Sequence, residues 1–320
     1  MNSKEHIRQT PGQEVDLVYL WVDGNDPEWR AKHDALTGVT RPDDSKGRYA
    51  DNEELRYSLR SVEQYAPWVR HIYIVTDNQV PEWLNTDNPR IRIVDHTEIL
   101  PRQSIPCFNS NVIEHCLHRI PGLAERFLYA NDDMLFSREV TPDDFFAPDG
   151  LPLIRMTRSP LRRVSVWFRD KMMKRPLSMY NMALRNSSRL VHDKFGVYFS
   201  EKTHHNVDAY LKSDFVHVAE MFREEIAATM DNHLRRGNDI QRIIYSYVPL
   251  AENRGHKLYV TRSTSFILRI HKPKYYERIK VCNPMFFCCN DSQYATDDDR
   301  RKATEYLKSR FPRKSEFEKP

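Results

Sequence analysis

Residues 15–22, VDLVYLWV, form a largely apolar run of β-branched and aromatic residues that ends at Asp23-Gly24-Asn25-Asp26-Pro27. Those residue types predict a buried strand. The turn formers at its end, with Pro27 set for a first helical turn, predict an abrupt loop and then a short helix carrying Trp29 and Ala31. A buried strand that feeds a helix favours a layered α/β architecture over an all-β or all-helical one.

The rest of the first half repeats that alternation. Leu55, Leu59, Val62 and Tyr65 or Ala66 fall three and four apart, so 53–65 reads as a helix, with Asp51 or Asn52 as its cap. Arg56 and Arg60 lie on a different side of it, and Pro67 ends it. HIYIVTD (71–77) and IRIVDH (91–96) read as strands, a helix is predicted near 110–118, and FLYANDD (127–133) reads as a strand running out into acids. Strands alternating with helices predict a mostly parallel sheet, whose ligands bind at the carboxyl ends of its strands. Asp23, Asp77 and the pair Asp132/Asp133 fall at such ends.

The second half is more helical. A basic, irregular stretch covers 151–205, including Arg155, Arg158, Arg162, Arg163, Arg169, Lys171, Lys174 and Arg175. Helices are predicted at 217–230 and 239–248, short strands near 258–268, and a last helix at 298–310 whose N-terminus carries Asp297, Asp298 and Asp299. The chain therefore divides into a polar lead-in (1–14), an α/β half (15–150) and a helical half (151–320), with a soft boundary at Pro148-Asp149-Gly150.

Composition removes several classes. A net charge of +4 over 320 residues is too small for a nucleic-acid coat or a polybasic membrane binder. No apolar run approaches the ~18–20 residues of a membrane span, and the first fifteen residues do not resemble a secretory signal. Five cysteines without a C-x-x-C pair fit neither a disulfide framework nor a Cys-type zinc site, which suggests reduced thiols in the cytoplasm.

Five clusters can carry chemistry. Trp21-Val22-Asp23-Gly24-Asn25-Asp26 can hold a nucleotide at a strand end, or be a plain turn. Asn131-Asp132-Asp133 can hold magnesium or manganese against a diphosphate, or be a solvated turn. The arginines of 155–175 can cover an anion or form a solvated face. In Thr203-His204-His205-Asn206 a histidine can act as general base near neutral pH, or be inert. Phe287-Cys288-Cys289-Asn290-Asp291-Ser292 can complete a metal or phosphate site, or end a strand.

Taken together, these segments resemble the Stealth proteins, which include bacterial capsular polysaccharide phosphotransferases and the catalytic domain of the animal lysosomal-enzyme N-acetylglucosamine-1-phosphotransferase. The resembling blocks are DLVYLWVDGNDPEW (16–29), the stretch from DNEELRYSLRSVEQYAPWVRHIYIVTD to FLYANDDMLF (51–136), a looser block around THHNVDAYLKSDFVHVAEMF and RRGNDIQRIIYSYV (203–222 and 235–248), and FFCCNDS (286–292).

The resemblance implies a nucleotide-sugar-binding fold similar to the GT-A glycosyltransferases. It also implies transfer of sugar-1-phosphate from a UDP-sugar to a glycan hydroxyl, with release of UMP. The catalytic set it implies is His205 as base, Asp132, Asp133 and Arg235, with Arg236 as the alternative if the local alignment slips by one. The implied donor-binding set is Trp21, Asp23, Gly24, Arg56, Arg60, Asn109 and Asn131. A divalent magnesium or manganese ion would lie on Asp133, Asn290 and Asp291. The expected setting is capsular or exopolysaccharide synthesis by a cytoplasmic enzyme, peripherally associated with the membrane at most, with no nucleic-acid partner. An ordinary glycosyltransferase releasing UDP and a non-catalytic carbohydrate- or nucleotide-binding subunit are the alternatives.

Overall fold

A computed structural model describes residues 13–38, 52–158 and 177–320. The lead-in through residue 12, the polar loop 39–51 and the basic residues Arg162 to Arg175 lie outside the described residues.

The main sheet has five strands: β1 (Val15–Leu20), β2 (Ile72–Thr76), β3 (Ile91–Asp95), β4 (Arg126–Asn131) and β7 (Asp208–Leu211). They lie in the order β3-β2-β1-β4-β7. The first four are mutually parallel, and β7 joins β4 antiparallel. The α/β expectation is met, and the second half contributes a strand to the first half's sheet.

Side chains of β1 alternate between two cores. Val15, Leu17 and Tyr19 enter one and Val18 the other, so both faces are covered. Asp16 interrupts that strand at no apparent cost, because Arg70 holds it at 2.9 and 2.7 Å and the Ala124 amide donates to it at 2.7 Å.

The predicted helices form with small shifts. Helix α1 (Pro27–Thr37) opens with Pro27 and is capped by Asp26, whose side chain accepts from the Trp29 amide. Helix α2 (Glu54–Tyr65) starts where expected, but Asn52 does not cap it, and Asp51 lies outside the described residues. Glu53 occupies the cap position at φ 63, and the Glu54 carboxylate turns back to accept from the Asn52 amide. The helix expected near 110–118 is α3 (Ser110–His115), continued by a 3-10 turn at Leu117–Arg119.

The largest departure is at the acidic pair. FLYANDD does not run out as one strand. β4 stops at Asn131, Asp132 and Asp133 make the turn, and β5 (Met134–Phe136) begins at once. β5 belongs to a second, three-stranded sheet in the order β5-β10-β9, with β9 (Ser265–Arg269) and β10 (Phe286–Asn290). A third core of Leu135, Phe287, Cys289, Leu307 and Phe311 packs that sheet on the last helix. β6 (Leu153–Met156) and β8 (His256–Tyr259) form a separate two-stranded ribbon.

The sequence reading did not include a helix at Met179–Phe195 or at Lys274–Cys282, and it merged Lys212–Met221 with Arg223–Met230 across Phe222. Among the described residues no helix is long and apolar enough to cross a membrane.

Candidate functional site

A cavity of about 610 Å³ opens above the carboxyl ends of the main-sheet strands. Crossing it from one end of the sheet to the other, its wall takes His96 after β3, Val75 from β2, Trp21 after β1, Asn131 and Asp132 after β4, and His205 and Asn206 before β7. An α/β sheet binds ligands at this edge because loops leave it in different directions there.

Part of the wall is aromatic. Trp29 stacks on His33 with ring centroids 5.3 Å apart, and Phe108 meets Trp29 edge-on at 5.2 Å. Near β4 and β7 it is charged. Arg242, absent from the sequence-based set, lies in the wall with its guanidinium 4.2 Å above the Tyr129 ring and Nη1 2.7 Å from Asp208 Oδ2. Glu114 lies 3.6 Å from its Nε. Burial pushes the Glu114 and Asp208 carboxyls up, and Arg242 partly offsets that.

Beside the cavity, the turn between the sheets meets β10. The Cys288 thiol donates to Asp133 Oδ2 at 2.9 Å and lies 3.6 Å from His205 Nδ1. The three donor atoms are within 4.8 Å of one another. Burial raises the Asp133 carboxyl, with His205 and the thiol acting against it. Burial also pushes the Cys288 thiol up, so sulfur here is a neutral hydrogen-bond donor.

The structure brings Trp21, Asn131, Asp132, His205 and Arg235 to one cavity, with Asp133 directly behind His205. Between the two arginine alternatives, half-buried Arg235 lines the cavity and donates to Ser110 at 2.8 Å, while Arg236 is exposed.

Other expected positions are engaged elsewhere. Arg56 and Arg60 do not reach the cavity. Their Nε atoms hold Glu318 at 2.6 and 2.7 Å, because α2 turns that face to the C-terminal segment. Asp23 closes a turn by accepting from the Asn25 amide, and Gly24 accepts from Arg30. Asn109 caps α3 and donates to Asp239 at 2.9 Å, with no surface left for a ligand. Asp291 is held by Arg300 at 2.8 Å, and neither it nor Asn290 lines the cavity. Arg155, from the basic stretch, is buried against Phe145 and Phe286.

Magnesium and manganese were therefore tested against the donors present. Of the expected oxygen set, Asp291 is held by Arg300, and the cluster that gathers around Asp133 includes a neutral thiol, which suits neither hard ion. Asp132 does fit. It is a carboxylate in the cavity wall, and magnesium commonly binds through one or two carboxylates plus substrate phosphates.

Arg242, Glu114, Trp29 and Asn206 were not in the sequence-based site. The signal for the first two was a charge next to or within an apolar stretch, Arg242 just before IIYSY and Glu114 within NVIEH.

The comparisons with known proteins agree with the resemblance. Residues 13–38 match the model of Stealth protein CR1, conserved region 1, and residues 48–154 match Stealth protein CR2, conserved region 2. The exopolysaccharide phosphotransferase cps2G of Lactiplantibacillus plantarum is 30% identical over 337 residues, covering 96% of this chain and 96% of that protein. The exopolysaccharide phosphotransferase SCO6023 of Streptomyces coelicolor is 35% identical over 317 residues, covering 95% of this chain, which spans 52% of the relative's length. A crystal structure of the galactosyltransferase LgtC with donor and acceptor sugar analogs overlays 93% of this chain and 95% of its own, at 11% identity and a TM-score of 0.43, too low to carry an argument. The chain belongs to the Stealth family.

Proposed function

We propose that this protein transfers sugar-1-phosphate from a UDP-sugar to a glycan hydroxyl in capsular or exopolysaccharide synthesis, and releases UMP. The observation that carries the reading is one cavity at the sheet's carboxyl edge lined by aromatic rings, the Asp132 carboxylate, two arginines and His205.

Each part has a role in that chemistry. Trp29 and Phe108 offer an apolar face for the nucleobase. Arg235 and Arg242 offset negative charge on the phosphoryl oxygens. His205 takes the proton of the acceptor hydroxyl, with the Asp133 carboxylate behind it to favour the imidazolium that forms. The acceptor oxygen then bonds to the sugar-linked phosphorus, and the bond from that phosphorus to the bridging oxygen breaks. That oxygen leaves on UMP, and the sugar's anomeric bond is untouched. Magnesium entering with the diphosphate would rest on Asp132 and supply charge neutralisation.

Segments 15–150 and 151–320 act here as one catalytic unit, since His205, Arg235 and Arg242 come from the second and Asp132 from the first. A cytoplasmic setting at the inner membrane face is where nucleotide sugars and a growing glycan meet.

The test is incubation with UDP-sugars, magnesium and glycan acceptors, followed by nucleotide analysis. UMP with a new phosphodiester is expected. UDP as the product would instead make the protein an ordinary glycosyltransferase.

A further inference from the structure

Several polar atoms of the cavity wall are buried without a partner, Trp21 Nε1 among them, and Asn206 has two. It is 4% exposed, it lines the cavity, and neither its Oδ1 nor its Nδ2 has a hydrogen-bond partner. Native proteins satisfy nearly all such groups, because a buried amide left unpaired costs about 1–3 kcal/mol or more. Among the described residues none partners either atom, which leaves both open to a ligand.

We infer that Asn206 is a recognition residue for the transferred sugar, bonding two adjacent hydroxyls of it: Oδ1 accepts from one, and Nδ2 donates to the oxygen of the next. This rests on the phosphotransfer reading and adds to it the chemical feature of the sugar that is read.

Two observations favour a sugar diol over the nucleobase. First, the cavity runs the width of the five-stranded sheet, and Asn206 lies at one end of it. His96 follows β3 at one edge of the five-stranded sheet, and Asn206 precedes β7 at the other. Four inter-strand spacings of about 4.8 Å separate those edges, on the order of 19 Å, the span of an extended nucleotide sugar. Second, Asn206 adjoins His205 in the chain. The group next to the reacting phosphorus on the side away from the nucleotide is the sugar. A carboxamide matches a vicinal diol because each presents one donor and one acceptor side by side.

An orphaned amide also makes a prediction about the empty protein. A residue kept for structure would destabilise the fold when removed. One kept for a ligand would not, because its removal relieves an unpaired buried group.

The experiment compares wild type with Asn206→Leu, which keeps the shape, and Asn206→Ala. Melting temperature is measured without ligand. Binding of UDP, UDP-glucose, UDP-galactose and UDP-N-acetylglucosamine is then measured by calorimetry. The expected result is an Asn206→Leu melting temperature no lower than wild type, unchanged UDP affinity in both variants, and at least about a tenfold loss for the preferred UDP-sugar. Deoxy analogues of that sugar should lose the same factor with wild type and nothing further with the variants.

A lowered melting temperature in the unliganded Asn206→Leu protein overturns the inference. So does an equal loss for UDP and UDP-sugar, which would place the amide on the nucleotide. If wild type binds neither UDP nor any UDP-sugar, the phosphotransfer reading itself fails and takes this inference with it. UDP-sugar binding that is unaffected in both variants overturns the inference alone.

Discussion

Cys288 and Asp133, 155 positions apart in the chain, meet with the thiol sulfur 2.9 Å from a carboxylate oxygen. The contact joins β10 to the turn that leaves the main sheet, and it puts a neutral donor behind the carboxylate that backs His205. Cys288→Ala would remove that donor and let burial raise the Asp133 carboxyl further. The acid limb of the kcat/KM profile should then move to higher pH by about one unit, given 1.5–3 kcal/mol for a hydrogen bond to a charged group. Cys288→Ser, whose hydroxyl also donates, should restore the wild-type limb. Identical profiles for wild type and Cys288→Ala would remove Asp133 from any role in proton transfer.

His205→Ala should lower kcat by roughly 10²–10⁴ while leaving UDP-sugar affinity within about twofold. Single-turnover kinetics alongside equilibrium binding separate the two. Wild-type turnover in this variant would pass the base role to another group.

Arg242 is enclosed by Asp208, Glu114 and the rings of Tyr129 and Tyr210. Arg242→Met would leave two buried carboxyls without their cation, so urea denaturation should show a loss of about 3–5 kcal/mol near neutral pH. The sign of its pH dependence follows from carboxyls already raised by burial. With the cation gone they would be raised further. The folded variant would then bind protons more tightly than the unfolded chain, so its stability should fall as pH rises through those folded pKa values. A variant as stable as wild type would show that the cluster relaxes by taking in water.

The C-terminal segment supplies a separate pH test. Arg60, Arg56 and neighbouring groups hold Glu318 at about 2, down from an ordinary glutamate, with burial working against them. This is a depressed carboxyl, so its stabilisation is present above the unfolded value near 4.5 and is lost as pH falls toward 2. Glu318→Gln should cost about 1–2 kcal/mol at pH 7, allowing for solvent near Arg56, and the difference from wild type should shrink below pH 4. A pH-independent difference would mean that packing around Phe317, not charge, anchors the segment.

If magnesium is held by Asp132 together with substrate phosphates, calorimetry should detect little magnesium binding to the protein alone and clear binding once UDP is present. Asp132→Asn should weaken the second and leave UDP binding without metal intact. Tight binding without nucleotide would point to a protein-built cage at another position.

How much of this was legible in the sequence depended on how local the signal was. β1, its Pro27 helix and the parallel order of the first four strands were readable because burial on both faces leaves an apolar run and helices leave a periodicity. The resemblance located the blocks that hold Asp132, His205 and Arg235, and the structure puts all three in one cavity wall. The contact of Arg56 and Arg60 with Glu318 was not legible, because Glu318 is 262 and 258 positions away and nothing local points to it. The hold of Arg300, on the next helix, on Asp291 was hidden for the same kind of reason. The strand end at Asp132–Asp133 was readable, but β5 after it was not, because it is only three residues long. Arg242 and Asn206 fall within the resembling blocks but were not singled out there. Their importance comes from what surrounds them, or fails to, once the chain is folded.

That short turn gives the molecule a mechanical property. Asp132 and Asp133 are the only residues between a strand of the large sheet and a strand of the small one, so neither acid can keep its aim if the two sheets tilt against each other. Packing around Leu135 and Phe287, on the far side from the cavity, therefore sets the alignment of the carboxylates. Relatives could retune reactivity by repacking that remote seam while every residue facing the substrate stays the same.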